Sequence, residues 1–153
     1  MTTSAVTRVC AAVGRGLLAG VAGTAAMTVS STVEAKATGR SASTTPADAV
    51  SVVAGVAPVD EPGKRRLNTL AHWGYGTAWG VARGAIDLLG LRGPLASVAH
   101  FAVVFGTEQV ILPALGVAKP TPAYGPAATA TDLLHHAVYA GSSGAAYDLL
   151  ARY

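Results

Sequence analysis

Five residues carry most of the chemistry available to this sequence: His72, Glu108, His136, Tyr75 and Tyr139. Imidazoles and a carboxylate are proton carriers, and together they are ligands for a divalent metal such as zinc. Each tyrosine follows its histidine by three residues, so on a helix it shares that histidine's face, one turn further along. The arrangement occurs twice. His72-Trp-Gly-Tyr75-Gly-Thr-Ala-Trp-Gly80 and His136-Ala-Val-Tyr139-Ala-Gly-Ser-Ser-Gly144 both read His-x-x-Tyr-(Gly/Ala)-x-x-x-Gly. Small residues four apart make an edge along which another helix approaches closely, and Gly76, Gly80, Gly84 and Gly144 are the candidates for such packing.

Other chemistries are excluded by what is missing. There is no nucleophile elbow, phosphate loop, His-Glu-x-x-His or Cys-x-x-Cys motif. The glycines of Gly74–Gly80 do not have dinucleotide-binding spacing, and no strand precedes them. Cys10 is the only cysteine, so neither an intrachain disulfide nor a cysteine-based zinc cluster can form. A net charge of +3, scattered along the chain, gives no footprint for nucleic acid.

The elements that would position the five residues are long and nearly uncharged. Charged residues make up 12% of the 153 residues, about half the share of a soluble domain, which needs more charge to cover its surface. Gly16–Val33 carries no charge and would extend about 27 Å as a helix, enough to cross a bilayer. The competing reading of this stretch is a signal peptide, with Arg8 as its charged region and a cleavage site near Ala35-Lys-Ala37.

Further uncharged or nearly uncharged stretches cover about 68–89, 94–112 and 131–150. The expected architecture is a single all-α membrane domain over 1–153: a four-transmembrane-helix bundle with spans at about 16–33, 68–89, 94–112 and 131–150. The surface loop 34–66 holds nine of the nineteen charged residues, the densest charge in the chain. Within it Thr45-Pro46-Ala-Asp48 starts a short interfacial helix, Pro58 ends that helix, and Asp60–Arg66 makes a solvated turn. Arg83 and Asp87, four apart, are placed to pair or snorkel. Gly90-Leu-Arg-Gly93 is a tight turn, which makes the third span an antiparallel neighbour of the second. Gly116–Pro126 reads as a rigid connector, and Thr129-Ala-Thr-Asp132 resembles a capping box at the start of the fourth span. Val21-Ala-Gly-Thr24 echoes Val104-Phe-Gly-Thr107, the pattern expected if spans one and two are an old copy of three and four.

Topology then brings the chemistry together. On the third span Ser97, His100, Val104 and Glu108 fall on one face, and Glu108 is the only charge between Pro94 and Pro113. His72 and His136 lie about 6 Å into the second and fourth spans from the end at which Glu108 closes the third. Three helices therefore carry ionisable groups to one level, with Tyr75 and Tyr139 a turn deeper. His135 points about 100° away from His136 and is expected outside this cluster. His100, Arg83, Asp87 and Asp148 belong near the opposite end. A carboxylate in hydrocarbon must be paired or protonated, so the cluster is a self-satisfied network, a metal, proton or small-ligand site, or a set of interfacial residues facing lipid headgroups. Trp73 and Tyr124 read as interfacial anchors.

Several segments together resemble a group of small, uncharacterised bacterial integral membrane proteins that includes those called YagU-like. They are Gly16-Leu-Leu-Ala-Gly-Val-Ala-Gly-Thr-Ala-Ala-Met-Thr28, Ala71–Gly80, Glu108 with Pro113-Ala-Leu-Gly116, and His136-x-x-Tyr139. The resemblance implies an inner-membrane protein of about four spans and no established chemistry. The expectation from the whole sequence is a non-enzymatic structural or accessory subunit of a bacterial inner (cell) membrane. It would be multi-pass with both termini cytoplasmic, without a cofactor, and in contact with the lipid bilayer. Its partners would be a second copy of itself or another membrane protein. The alternative is a membrane metal- or proton-handling protein that uses His72, Glu108 and His136.

Overall fold

The computed structural model describes residues 4–41 and 43–152, and all regular structure among them is helical. Helix α1 (Ala5–Thr38) begins where the Ser4 hydroxyl accepts a hydrogen bond from the Thr7 backbone N–H at 3.2 Å. It ends at Gly39, whose φ of 71° reverses the chain into the left-handed region. Helix α2 (Thr45–Ala54) is short, with Pro46 in its first turn, as the sequence implied. Helix α3 (Glu61–Leu88) starts on Asp60, whose carboxylate accepts from the Gly63 N–H at 2.7 Å. Helix α4 (Gly93–Ala114) opens with Pro94 in its first turn and carries Pro113 within its last. A 3-10 turn (Thr121–Tyr124) leads into helix α5 (Pro126–Leu150).

Three expectations about boundaries are corrected. Helix α2 ends at Gly55, whose φ of 65° turns the chain, and not at Pro58. The stretch Asp60–Arg66 is not a solvated turn; Asp60 caps the helix there, so α3 begins before its uncharged part. Thr129 and Asp132 do not form a capping box, because α5 already starts at Pro126. The Thr129 hydroxyl instead bonds back to the Gly125 carbonyl at 2.9 Å, which frees Asp132 for other partners.

Helix α1 lies against α3 and α5, and α4 lies against α5 and α3. The α1–α3 contact is built from glycine. A side chain at Gly16 would strike the Gly80 carbonyl, one at Gly80 the backbone of Gly16 and Gly20, and one at Gly84 the Ala12 carbonyl. Two backbones that touch this way leave no room for a Cβ on either side, so the expected packing role of Gly76, Gly80 and Gly84 is realised against α1. Gly144 plays the same part between α5 and α4, where it receives the Ser97 side chain. A bulkier apolar cluster forms where Tyr139, Ala140 and Val104 pack with Phe101, Trp79 and Met27.

Helices α1 and α4 are long and apolar enough to cross a membrane, by length and composition. Helices α3 and α5 fall short of that measure. Their packed faces carry His, Tyr, Gly, Ser and Arg, which lower the average even where the outer face is apolar.

The helix α2 docks on the first turns of α3. Asn68 Oδ1 accepts from the Ala47 N–H at 3.1 Å, and Asn68 Nδ2 donates to the Ser43 carbonyl at 2.9 Å. The Lys64 ammonium lies 3.2 Å from Asp48 Oδ1. The Thr44 hydroxyl donates to the Asp48 carboxylate at 2.7 Å and holds its pKa below the usual carboxylate range. A small desolvation acts against this shift, and Lys64 adds to it.

Candidate functional site

The buried ionisable groups gather in two assemblies, one toward each end of the long helices. The first centres on His136, which α5 buries against α4. Its Nε2 lies 2.7 Å from Glu108 Oε2, and its Nδ1 lies 3.1 Å from Asp132 Oδ1 and 2.9 Å from the Asp132 carbonyl oxygen. Asp132 is one turn before His136 on the same helix, so the pair is set by helical spacing. Glu108 is delivered by the polar face of α4, on which His100 and Val104 are also buried, as the stripe predicted. The connector supplies a third arm. The Thr121 hydroxyl donates to Asp132 Oδ2 at 2.6 Å, while Gln109 accepts from the Thr121 N–H at 2.7 Å and donates to its Oγ1 at 3.0 Å. One ligand atom each from Glu108, Asp132 and His136 lies within 4.8 Å of the other two.

Of the expected cluster, Glu108 and His136 meet directly. His72 takes a different partner: its Nε2 is 2.9 Å from the Thr28 hydroxyl of α1. Tyr139 is buried and donates to the Gly76 carbonyl at 2.6 Å, a bond that ties one copy of the repeated motif to the other. Tyr75 is 53% exposed and stacks edge-on against Trp79. Asp132 fills the place expected of His72. The signal for it was present in the sequence, as a carboxylate four residues before a histidine, but the capping-box reading had assigned it elsewhere.

His135 stands outside this trio, as its direction on the helix implied. It faces α1, with Nδ1 2.8 Å from the Ser30 hydroxyl and Nε2 3.7 Å from Glu34 Oε2. Glu34 in turn pairs with Arg40 at 2.7 Å, so α1 and α5 share a polar contact beside the first assembly.

The second assembly surrounds Arg83, which is fully buried. The expected Arg83–Asp87 pair does not form. Arg83 reaches across to Asp148 of α5 and lies over the Tyr147 ring, 4.4 Å from its centre. Asp87 faces Arg92 at 3.5 Å and accepts from the Tyr147 hydroxyl at 3.3 Å. The reason is geometric: burying the guanidinium under α5 puts an interhelical carboxylate nearer than one on its own helix. His100 Nε2 contacts the Trp79 carbonyl at 3.0 Å and its ring lies 5.5 Å from that of Tyr139, joining α4 to α3 and α5.

Comparison with protein families, curated proteins and solved structures finds no match to this chain. The chemistry of the site therefore rests on its own geometry.

Proposed function

We propose that this chain is an integral membrane protein whose four long helices cross the bilayer as a four-helix bundle, and that it acts as a non-enzymatic structural or accessory subunit. The observation that carries the reading is where the apolar side chains point. Only 17% of the apolar stretch of α4 and 33% of that of α1 is buried. Leu95, Val98, Val103, Val110 and Ile111 on α4, and Leu18, Val21, Val29 and Val33 on α1, are exposed. The core helix of a water-soluble protein turns such residues inward; here Gly, Ala, Ser, Thr, His and Tyr face inward instead, the pattern of helices packing in lipid. The resemblance to the YagU-like group points the same way, to an inner-membrane location.

The test is extraction and topology. Expressed in bacteria, the protein should stay with the membrane through alkaline carbonate washing and dissolve only in detergent. Single cysteines placed at 41, 91 and 118 in a Cys10→Ser background should react with an impermeant thiol reagent from alternating sides: 41 and 118 together, 91 from the other face. Carbonate release, or labelling of all three from one side, overturns the reading. Mild-detergent purification then asks for a second copy or another membrane protein, and a solitary monomer counts against the accessory role.

A second reading is favoured by the Glu108–His136 contact: a membrane protein that handles a metal ion or protons. Two carboxylates gathered on one imidazole inside a helix pack are the usual equipment of an ion or proton path. Vesicles containing the purified protein should then show Zn²⁺ or proton flux that Glu108→Gln abolishes.

A further inference from the structure

We propose that Glu108, Asp132 and His136 bind one divalent transition-metal cation, and that the bound ion latches the Gly116–Gly125 connector to the ends of α4 and α5. This deepens the second reading above by assigning the ligand set and the class of ion.

The tautomer of His136 comes first. Its Nδ1 is 2.9 Å from the Asp132 carbonyl oxygen. A carbonyl only accepts, so Nδ1 carries the hydrogen and Nε2 is the atom turned toward Glu108. Histidine ligands are held in this way, with the second nitrogen bonded to a backbone carbonyl or carboxylate that fixes the ring.

The contact between Nε2 and Glu108 Oε2 comes next. The atoms are 2.7 Å apart. One ligand atom each from Glu108, Asp132 and His136 lies within 4.8 Å of the other two. With metal–ligand distances of about 2.0–2.2 Å, the ligand atoms around one ion lie roughly 3 Å apart, so short side-chain movements close the three groups on a shared ion.

Donor chemistry then selects the ion. One imidazole and two carboxylates are too hard for Cu⁺ and lack the all-oxygen shell that Ca²⁺ and Mg²⁺ take, which leaves ions of the Zn²⁺, Mn²⁺ and Fe²⁺ class. The Thr121 hydroxyl, held by Gln109 and bonded to Asp132 Oδ2, orients the Asp132 carboxylate from outside. Any ion that fixes Asp132 therefore also fixes Thr121 and the connector that carries it.

The experiment uses the full chain, purified in detergent and stripped with a chelator. Zn²⁺ and Mn²⁺ are titrated by calorimetry, with Mg²⁺ and Ca²⁺ as comparisons. One ion per chain should bind, with Mg²⁺ and Ca²⁺ at least about a hundredfold weaker. Asp132→Asn and Glu108→Gln should each weaken binding about tenfold or more. His72→Gln should leave it within about twofold, because His72 belongs to Thr28. Connector amides 117–125 should gain hydrogen-exchange protection on adding Zn²⁺. If either carboxylate variant loses its helical circular dichroism, the absorption spectrum of Co²⁺ bound to the unaltered protein decides, and nitrogen–oxygen ligation supports the site. The proposal is overturned if the unaltered protein binds no transition-metal ion at one per chain, or if both carboxylate variants bind as it does. Flux in vesicles is scored separately: binding without flux keeps the site and rejects the handling role, and proton flux without binding does the reverse.

Discussion

The two copies of the His-x-x-Tyr motif have the same spacing and opposite surroundings. On α3, His72 is half-buried against Thr28, Tyr75 is exposed, and Gly76 and Gly80 lie on the backbone and small side chains of α1. On α5, His136 sits between two carboxylates, Tyr139 is buried, and Gly144 receives only the Ser97 side chain. The difference comes from the neighbours. Helix α1 offers glycine, alanine and threonine, so the α3 copy is pressed backbone to backbone and its histidine finds a hydroxyl. Helix α4 offers Glu108, and the α5 copy brings Asp132 one turn before its histidine. Spacing within a helix therefore decides which groups share a face. What that face can do is decided by the helix opposite.

The glycines test this most severely. Gly80→Ala places a methyl group on the backbone of Gly16 and Gly20, which cannot give way without separating α1 from α3. The expected loss is about 3 kcal/mol. Gly144→Ala meets the Ser97 hydroxyl, which can rotate away, and the Ser97 Cβ at 3.1 Å, which needs a shift of only a few tenths of an ångström, and should lose about 1 kcal/mol. Gly74→Ala, on the same helix as Gly80 but facing open space, should be neutral or gain about 0.5 kcal/mol. Unfolding in mixed SDS micelles, followed by circular dichroism, measures all three. Equal losses at positions 80 and 144 would mean that the two copies are seated alike, and the contrast drawn above would fail.

The tyrosines sharpen the same contrast at smaller cost. Tyr139→Phe removes the donor to the Gly76 carbonyl and should lose about 1 kcal/mol. Tyr75→Phe removes an exposed hydroxyl with no protein acceptor among the described residues and should change stability by less than about 0.5 kcal/mol. A larger loss at Tyr75 than at Tyr139 would show that the α3 copy has a partner on its outer face.

How far the sequence was legible follows from the same division. The start of α2 at Thr45-Pro46, the proline-led start of α4 and the polar stripe through Ser97, His100 and Glu108 all depend on neighbours in sequence, and all were readable. So was the divergence of His135 from His136, which is a matter of angle on one helix. The meeting of Glu108 with His136 was readable from depth, because antiparallel helices place equal depths side by side. Three things depended on interhelical geometry and were not. Depth alone does not say which face His72 turns, so its contact with Thr28 was missed. Local spacing favoured Asp87 for Arg83, and only the path of α5 brings Asp148 closer. The role of Asp132 was hidden by Thr129, whose capping reading required α5 to start later than Pro126.

The entry to each copy offers the last and smallest test. The α5 copy is entered through the Thr121–Asp132 contact, and the α3 copy through α2, held by Asn68 and by the Asp48–Lys64 pair. The pKa of Asp48 is held down in the folded protein, first by the Thr44 hydroxyl and then by Lys64. A carboxylate with a lowered folded pKa contributes stability above its ordinary value of about 3.9, and that contribution is lost as pH falls through the folded value. Helix α2 should therefore loosen from α3 below about pH 4. Because Asp48 is partly exposed and screened, the loss should stay under about 1 kcal/mol. Protection factors for the amides of 47–54 measure it, since they correct for the intrinsic pH dependence of exchange. Asp48→Asn should lower protection at neutral pH and remove the acid step. An acid step that survives in Asp48→Asn would transfer the sensitivity to another group and leave Asn68 as the contact that seats α2.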